Sequence, residues 1–412
     1  MWKYKCKTQL ISLVAAFLAG MVLMFFTISE GSILSSGLFP KEVITFIQSN
    51  PVSMYLAGGF VVAGMVNVIL IGQLVSSQFN ISPFIIFLFL MLIPEYLIVL
   101  GSILVIPMVI LSIYGIVSLK KTYTNQMKAR NLSDDEEIVR IYMIHHKLDD
   151  SVKDLANQCR KNVSKITWIY ALGIAAIFCI MLLVQNLWIV MIALIFYMMA
   201  FNFLLRYRAS CFVPITKLLY EKCDPEACAS AIIYYSTRHK KVKLTQQSLL
   251  AQCLIYMNDP QLAQDVLISY PKKDPSSILT YWSLMAYIDY MLKDEEALLR
   301  AQEEASKVRM NLGQTGVLIR SEELAGIENK VHLMNGDLNT CKKYYLNALN
   351  KAVLPFQQVD ASYYIALISF VEEDYSLAEM YFQKVVQLGN KIYFTKNAQS
   401  YLDKIERMNL ED

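Results

Sequence analysis

The pattern of apolar and polar positions changes character near residue 205. Before that point the chain holds long uncharged apolar runs, at 9–28, 52–75, 81–119, 166–184 and 187–205. Beyond it, apolar residues fall at helical spacing, and polar turns recur at intervals of roughly 34–44 residues. Runs of about 20 apolar residues predict membrane-spanning helices. Turns at that period predict stacked helical hairpins. The expected fold is all-α: polytopic transmembrane helices followed by an α-solenoid.

The first run follows Lys3, Lys5 and Lys7. It is too long for a signal-peptide core and no small-residue cleavage site follows, so it reads as a retained helix. The 81–119 run is interrupted by Pro94 and Pro107. Two helices turning near Pro94-Glu95 would return the chain to its starting side. The arm 81–93 would then reach only about 20 Å at 1.5 Å per residue, and a re-entrant segment is the other reading. Glu95 is placed at the outer interface in that turn. Runs 166–184 and 187–205, joined by Gln185-Asn186, form a tight hairpin. In loop 29–50, Pro40 opens a short helix carrying Val43, Ile44, Phe46 and Ile47, expected to lie on the outer membrane face.

Basic residues flank the runs on one side: Lys120, Lys121, Lys128, Arg130, Lys161, Lys165, Arg206 and Arg208. Loop 29–50 has only Lys41 against Glu30 and Glu42. The positive-inside rule puts both termini in the cytoplasm. The expected location is a multi-pass position in the cell membrane, of bacterial plasma-membrane type. The domains expected are 1–119 (transmembrane, about four helices), 120–165 (cytoplasmic connector), 166–207 (transmembrane hairpin) and 210–412 (repeats with a C-terminal capping helix).

In the connector, Ser133 and Glu136 have capping-box spacing. Ile138, Ile141, His145, Leu148, Val152, Leu155 and Cys159 then form one apolar seam, unless Asp149-Asp150-Ser151 restarts a second helix. The seam either docks on the repeats or makes a homo-oligomer through the 134–160 helix. His145 and His146 each precede an aspartate by four residues (Asp149, Asp150). On a continuous helix consecutive histidines diverge, so at most one His/Asp pair forms per face and no metal is expected.

The repeat half contains the turns Cys223-Asp224-Pro225, Asn258-Asp259-Pro260, Lys293-Asp294-Glu295, Gly336-Asp337 and Glu373-Asp374-Tyr375. Small residues follow each: Cys228, Ala263, Ala297, Cys341 and Ala378. Met285, Asn329 and Thr216 stand in other small slots. These features resemble the tetratricopeptide repeat (TPR) family over about 210–390, with degenerate motifs and a capping helix at about 393–408. The resemblance implies a concave groove lined by the first helices, with Tyr256, Trp282, Tyr290, Lys330, Tyr363 and Phe370 as lining candidates. The basic and polar clamp of chaperone-binding members is replaced by Ser248, Gln252, Trp282 and Ala286.

Composition narrows the functions. With 55% hydrophobic residues the chain is not one ordinary soluble domain. Nearly balanced charge over 206–412 lacks the basic stripe that nucleic acid needs. Eight cysteines occur singly, without zinc spacing, and are expected as buried thiols in a reducing compartment. No nucleophile elbow, phosphate loop or zinc-protease motif is present, and neither catalysis nor a cofactor is expected. The reading is a membrane scaffold or adaptor whose repeats bind a protein or peptide and recruit it to the bilayer. The alternative is an accessory or regulatory subunit of a membrane transport or export system.

Overall fold

The computed structural model describes residues 2–29, 49–79, 94–183, 187–238, 241–310 and 313–411. The loop helix at 40–47, the arm 81–93 and the joint 185–186 lie outside these residues. The described chain is helical, apart from one two-stranded hairpin.

The apolar part comprises α1 (Trp2–Ser29), α2 (Pro51–Phe79), α3 (Pro94–Ile103) and α4 (Val105–Ala129). Three stretches among the described residues, Trp2–Phe26, Pro51–Gly72 and Val105–Ala129, are long and apolar enough to cross a membrane. Their outward faces are apolar too, at Ile11, Ile69, Ile106, Ile110 and Val117, the reverse of a water-soluble bundle. Small residues let the backbones approach. A Cβ on Gly64 of α2 would stand 2.7 Å from the backbone nitrogen of Ser102 on α3. Asn67, fully buried beside it, donates to the Gly101 carbonyl at 2.9 Å.

Pro107 bends its helix rather than ending it. Leu104 stays in the right-handed helical region, donating to Leu100 and accepting from Met108, both at 3.0 Å. Pro107 lacks an N–H, so the break falls one turn before it and α3–α4 forms a single kinked rod.

The connector is two helices, not one. Asp134 caps α5 (Asp135–His145) by accepting from the Glu136 and Glu137 N–H groups, and Glu137 reaches back to the Ser133 N–H. The capping box therefore stands one residue later than Ser133 and Glu136 suggest. The helix stops at His145, because His146 is extended (φ −134°, ψ 149°). The Asp149 carboxylate accepts from Ser151 and starts a 3₁₀ turn leading into α6 (Lys153–Leu183). That helix carries the connector without interruption into the apolar 166–183 stretch. It pairs with α7 (Leu187–Ser210), which ends two residues before the repeats begin.

Five hairpins follow: α8 (Val213–Tyr220) with α9 (Pro225–Ser236), and α10 (Gln247–Tyr256) with α11 (Pro260–Ile268). The third is α12 (Pro275–Leu292) with α13 (Glu295–Ser306). The fourth is α14 (Gly313–Met334) with α15 (Leu338–Lys351), and the fifth is α16 (Pro355–Val371) with α17 (Tyr375–Leu388); α18 (Tyr393–Glu411) ends the body. Strands β1 (Thr237–Arg238) and β2 (Lys241–Val242), absent from the sequence reading, separate the first two hairpins. Asp135 and Glu136 at the start of α5 accept from the Leu244 and Val242 N–H groups beside them.

All five hairpin turns use the same chemistry. Cys223, Asn258, Lys293, Gly336 and Glu373 have positive φ, which reverses the chain after the first helix. The next residue is always aspartate. In the last four turns its N–H reaches back to the carbonyl five residues earlier, at 2.9 Å. Its carboxylate accepts from the third residue of the next helix: Ala227, Leu262, Ala297, Thr340 and Leu377. Cys228, Ala263, Cys341 and Ala378 are then fully buried where the helices cross.

The connector shares the hairpins' hydrophobic core. Met127, Ile138, Val139, Tyr142, Val152 and Cys159 join Ile232, Leu250 and Val266 in one cluster. Arg130, just past α4, bonds the Asp265 carboxylate at 2.7 Å and the Gln261 carbonyl at 3.3 Å. The seam of the sequence reading is thus covered within the chain. Seven of the eight cysteines, Cys6, Cys159, Cys211, Cys223, Cys228, Cys253 and Cys341, are free and buried.

The stack also returns on itself. Asn390 donates to the Lys222 carbonyl and the Lys391 N–H to that of Cys223, while the Lys391 ammonium meets Asp224 at 2.9 Å. Tyr220 and Phe356 pack edge to face between the first and fifth hairpins.

Replacing Asp374 with Ala is expected to cost about 1 kcal/mol, and with Asn only a few tenths, because Asn also caps. Equilibrium denaturation of the pair checks this. Equal losses would mean the cap contributes nothing.

Candidate functional site

The inner helices of the stack surround a cavity of about 550 Å³. Gln252 of α10, Ser283 and Tyr287 of α12, and Gln357 and Asp360 of α16 form one wall. Glu322, Glu323, Asn329 and Lys330 of α14, with Tyr344 and Tyr345 of α15, form the other. A neighbouring cavity of about 280 Å³ shares Gln252, Ser283 and Glu323 and extends past Ser248 and Thr280.

Lys330 is the centre of the larger cavity. It is 7% exposed, and its ammonium donates to the Tyr345 hydroxyl at 3.0 Å. The ring centroids of Tyr287 and Tyr364 lie 4.0 and 4.1 Å from the same nitrogen, a cation–π arrangement. Burial lowers its pKa from 10.5 to about 8, against the pull of Asp360.

Asp360 collects the surrounding hydroxyls, accepting from Tyr256 at 2.6 Å and Tyr287 at 3.4 Å. Tyr345 stacks on Tyr364 at 4.6 Å, and the Tyr287 and Tyr364 hydroxyls are 2.9 Å apart. Burial raises the pKa of Tyr256, Tyr287, Tyr345 and Tyr364, so all four hydroxyls stay protonated near neutrality.

Asn329 is 3% exposed, yet neither its Nδ2 nor its Oδ1 has a protein partner. Buried polar groups are ordinarily satisfied, and leaving an amide unpaired costs about 1–3 kcal/mol. Asn329 lines the cavity wall, but both amide atoms are themselves buried beneath its surface. The lining thus combines one ammonium, Lys330, with the carboxylates of Glu322, Glu323 and Asp360.

The six lining candidates of the sequence reading separate. Lys330 lines the cavity. Tyr256 and Tyr290 belong to the aromatic shell around it, Tyr290 at 5.4 Å from the ammonium. Tyr363 is buried one layer behind, stacked on Phe394 at 4.0 Å. Trp282 is half-buried against a second small core on α12–α14, with Tyr281 at 4.9 Å. Phe370 packs beside Tyr401 at 4.9 Å, near the end of the stack. Asn329 and Asp360 were missed as site residues. Asn329 carried a signal, being a polar residue in a slot where the repeat pattern expects a small one. Asp360 had none.

Lysine that is neutral more easily when folded has a defined pH signature. Between pH 8 and 10.5 the unfolded chain binds more protons at this site, so Lys330 contributes rising stability as pH increases through that window. Stability of the wild type minus that of Lys330→Met should rise by roughly 1–3 kcal/mol from pH 8 to 10.5. Denaturation of both proteins across that range checks it. A flat difference would mean Lys330 keeps its ordinary pKa.

No protein-family model, no curated protein and no solved structure matches the chain, so the resemblance to tetratricopeptide repeats rests on its own turns and small residues.

Proposed function

We propose that the chain is an integral membrane adaptor whose helical-hairpin body, resembling TPR domains, takes an extended protein segment into its inner cavity. The cavity that the inner helices leave open, with the Lys330 cation and the carboxylates of Glu322, Glu323 and Asp360 on its lining, is the observation that carries this reading. The lining also gives a preference. Glu322, Glu323 and Asp360 outnumber Lys330, so a segment bearing a basic side chain is favoured on charge.

The attachment to the apolar helices supports recruitment to the bilayer. α6 is continuous from connector to apolar stretch, α7 joins α8 through two residues, and Arg130 beyond α4 bonds Asp265. A partner held in the cavity would be presented at a set distance from the membrane surface. The basic flanks favour a cytoplasmic side for the body and both termini, with the membrane taken as a plasma membrane of bacterial type.

Photo-crosslinking residues at Ser283 and Glu323, in the cavity, and at Glu379, on α17 away from it, would test this in native membranes. One polypeptide should crosslink from both cavity positions and not from Glu379, and Glu322→Lys or Asp360→Asn, each removing a carboxylate from the lining, should reduce its yield at least tenfold, a loss of about 1.4 kcal/mol in binding. Equal crosslinking from all three positions, or yields unchanged by both substitutions, would end the cavity reading.

A further inference from the structure

A second polar cluster lies outside the cavity, where the connector meets the second hairpin. His145 Nδ1 is 2.7 Å and His146 Nε2 3.1 Å from the same oxygen, Oδ2 of Asp259. On a continuous helix the two rings would diverge by about 100°. Here His145 is the last residue of α5 and His146 is extended, and both rings turn to one side. The Tyr142 ring, 5.2 Å from that of His146, backs the pair.

The carboxylate is positioned independently of the histidines. Asp259 Oδ1 accepts from the Leu262 N–H and caps α11, which leaves Oδ2 for the rings. Arg130, the nearby cation, is occupied by Asp265 and the Gln261 carbonyl. His145 is 47% exposed at its side chain, so the cluster opens to solvent on one side.

We propose that His145, His146 and Asp259 form a site for a divalent transition metal of the zinc class, with water as fourth ligand, that clasps the connector to the second hairpin. Two imidazoles and a carboxylate with one open position are a donor set that Zn²⁺ accepts. Ca²⁺ and Mg²⁺, which select oxygen ligands, are disfavoured by the two nitrogens. The donor atoms already lie within 4.8 Å of one another. Tetrahedral ligands at about 2.0–2.1 Å from Zn²⁺ stand about 3.3 Å apart, so the two N···O distances of 2.7 and 3.1 Å need open by about 0.6 and about 0.2 Å, with the two nitrogens already within 4.8 Å of each other. The site is separate from the cavity and holds whether or not a peptide binds there.

The test uses the full chain in lipid nanodiscs, stripped with chelator at pH 7.5, and Zn²⁺ or Co²⁺ alone. One equivalent of Zn²⁺ should bind per chain and raise the melting temperature. Co²⁺ should give the intense visible bands of four-coordination without thiolate charge transfer. His145→Gln, His146→Gln and Asp259→Asn should each weaken binding more than about tenfold, the loss that even an outer-sphere partner can cause. Asn at 259 keeps the helix cap, so its loss of metal is not a loss of fold. His332→Gln, at a histidine paired with Asp337, should change nothing. Absence of one-to-one binding, survival of binding in both His146→Gln and Asp259→Asn, or thiolate bands would overturn the proposal.

Discussion

Each hairpin turn confines an aspartate between a helix end whose last carbonyls need donors and a helix start whose first N–H groups need acceptors. One residue meets both needs. The backbone N–H closes the first helix, and the carboxylate opens the second. The preceding residue must accept a left-handed conformation, which is why Asn and Gly occur there and why Cys223, Lys293 and Glu373 carry strain. With the turn geometry repeated, each pair of helices crosses at buried small residues, and the next pair can stack in the same way. Repetition of the turn thus directs five first helices towards one interior.

That interior shows where the sequence was informative. Every turn was legible because its signal is local, a few residues long and independent of the rest of the chain. Helical content and apolar rods followed from periodicity and run length for the same reason. The inward direction of Lys330 followed from the hairpin register. The aromatic lining was less legible, because Tyr287, Tyr345 and Tyr364, none of them among the lining candidates of the sequence reading, meet around Lys330 only when the hairpins stack. The return of the stack on itself depends on Lys222 and Asn390, 168 residues apart, and no periodic pattern encodes such a contact. The break after His145 was legible as one of two readings: the apolar seam continues across it, but Asp149-Asp150-Ser151 also offered a restart, and the turn that Asp149 caps is that restart. Spacing along a helix could not bring two consecutive histidines to one carboxylate.

The cavity opposes the logic of the core around it. Hydrophobic packing at Ile232, Leu250 and Val359 stabilises the body, whereas Lys330 and Asn329 place a charge and an unpaired amide in nearly the same degree of burial. The tyrosine rings and the Tyr345 hydroxyl recover part of that cost, and Asp360 recovers more through charge. What is left over is a polar site that costs stability within an otherwise apolar core.

The contact between the first and fifth hairpins alters how the stack can come apart. An open row of hairpins behaves as a one-dimensional chain of nearest-neighbour couplings, and its two end units fray because each has one neighbour instead of two. Beyond the connector on the first hairpin and α18 on the fifth, the links from Lys391 to Asp224 and from Phe356 to Tyr220 couple the two ends to each other. A ring of couplings has no terminal unit, so partial opening must break two interfaces at once. The body therefore loses the graded end-fraying of open repeat arrays and unfolds more nearly as one cooperative block. The seal on its first hairpin depends on the segment at Asn390-Lys391 between α17 and α18, and on Phe356 at the start of the fifth hairpin.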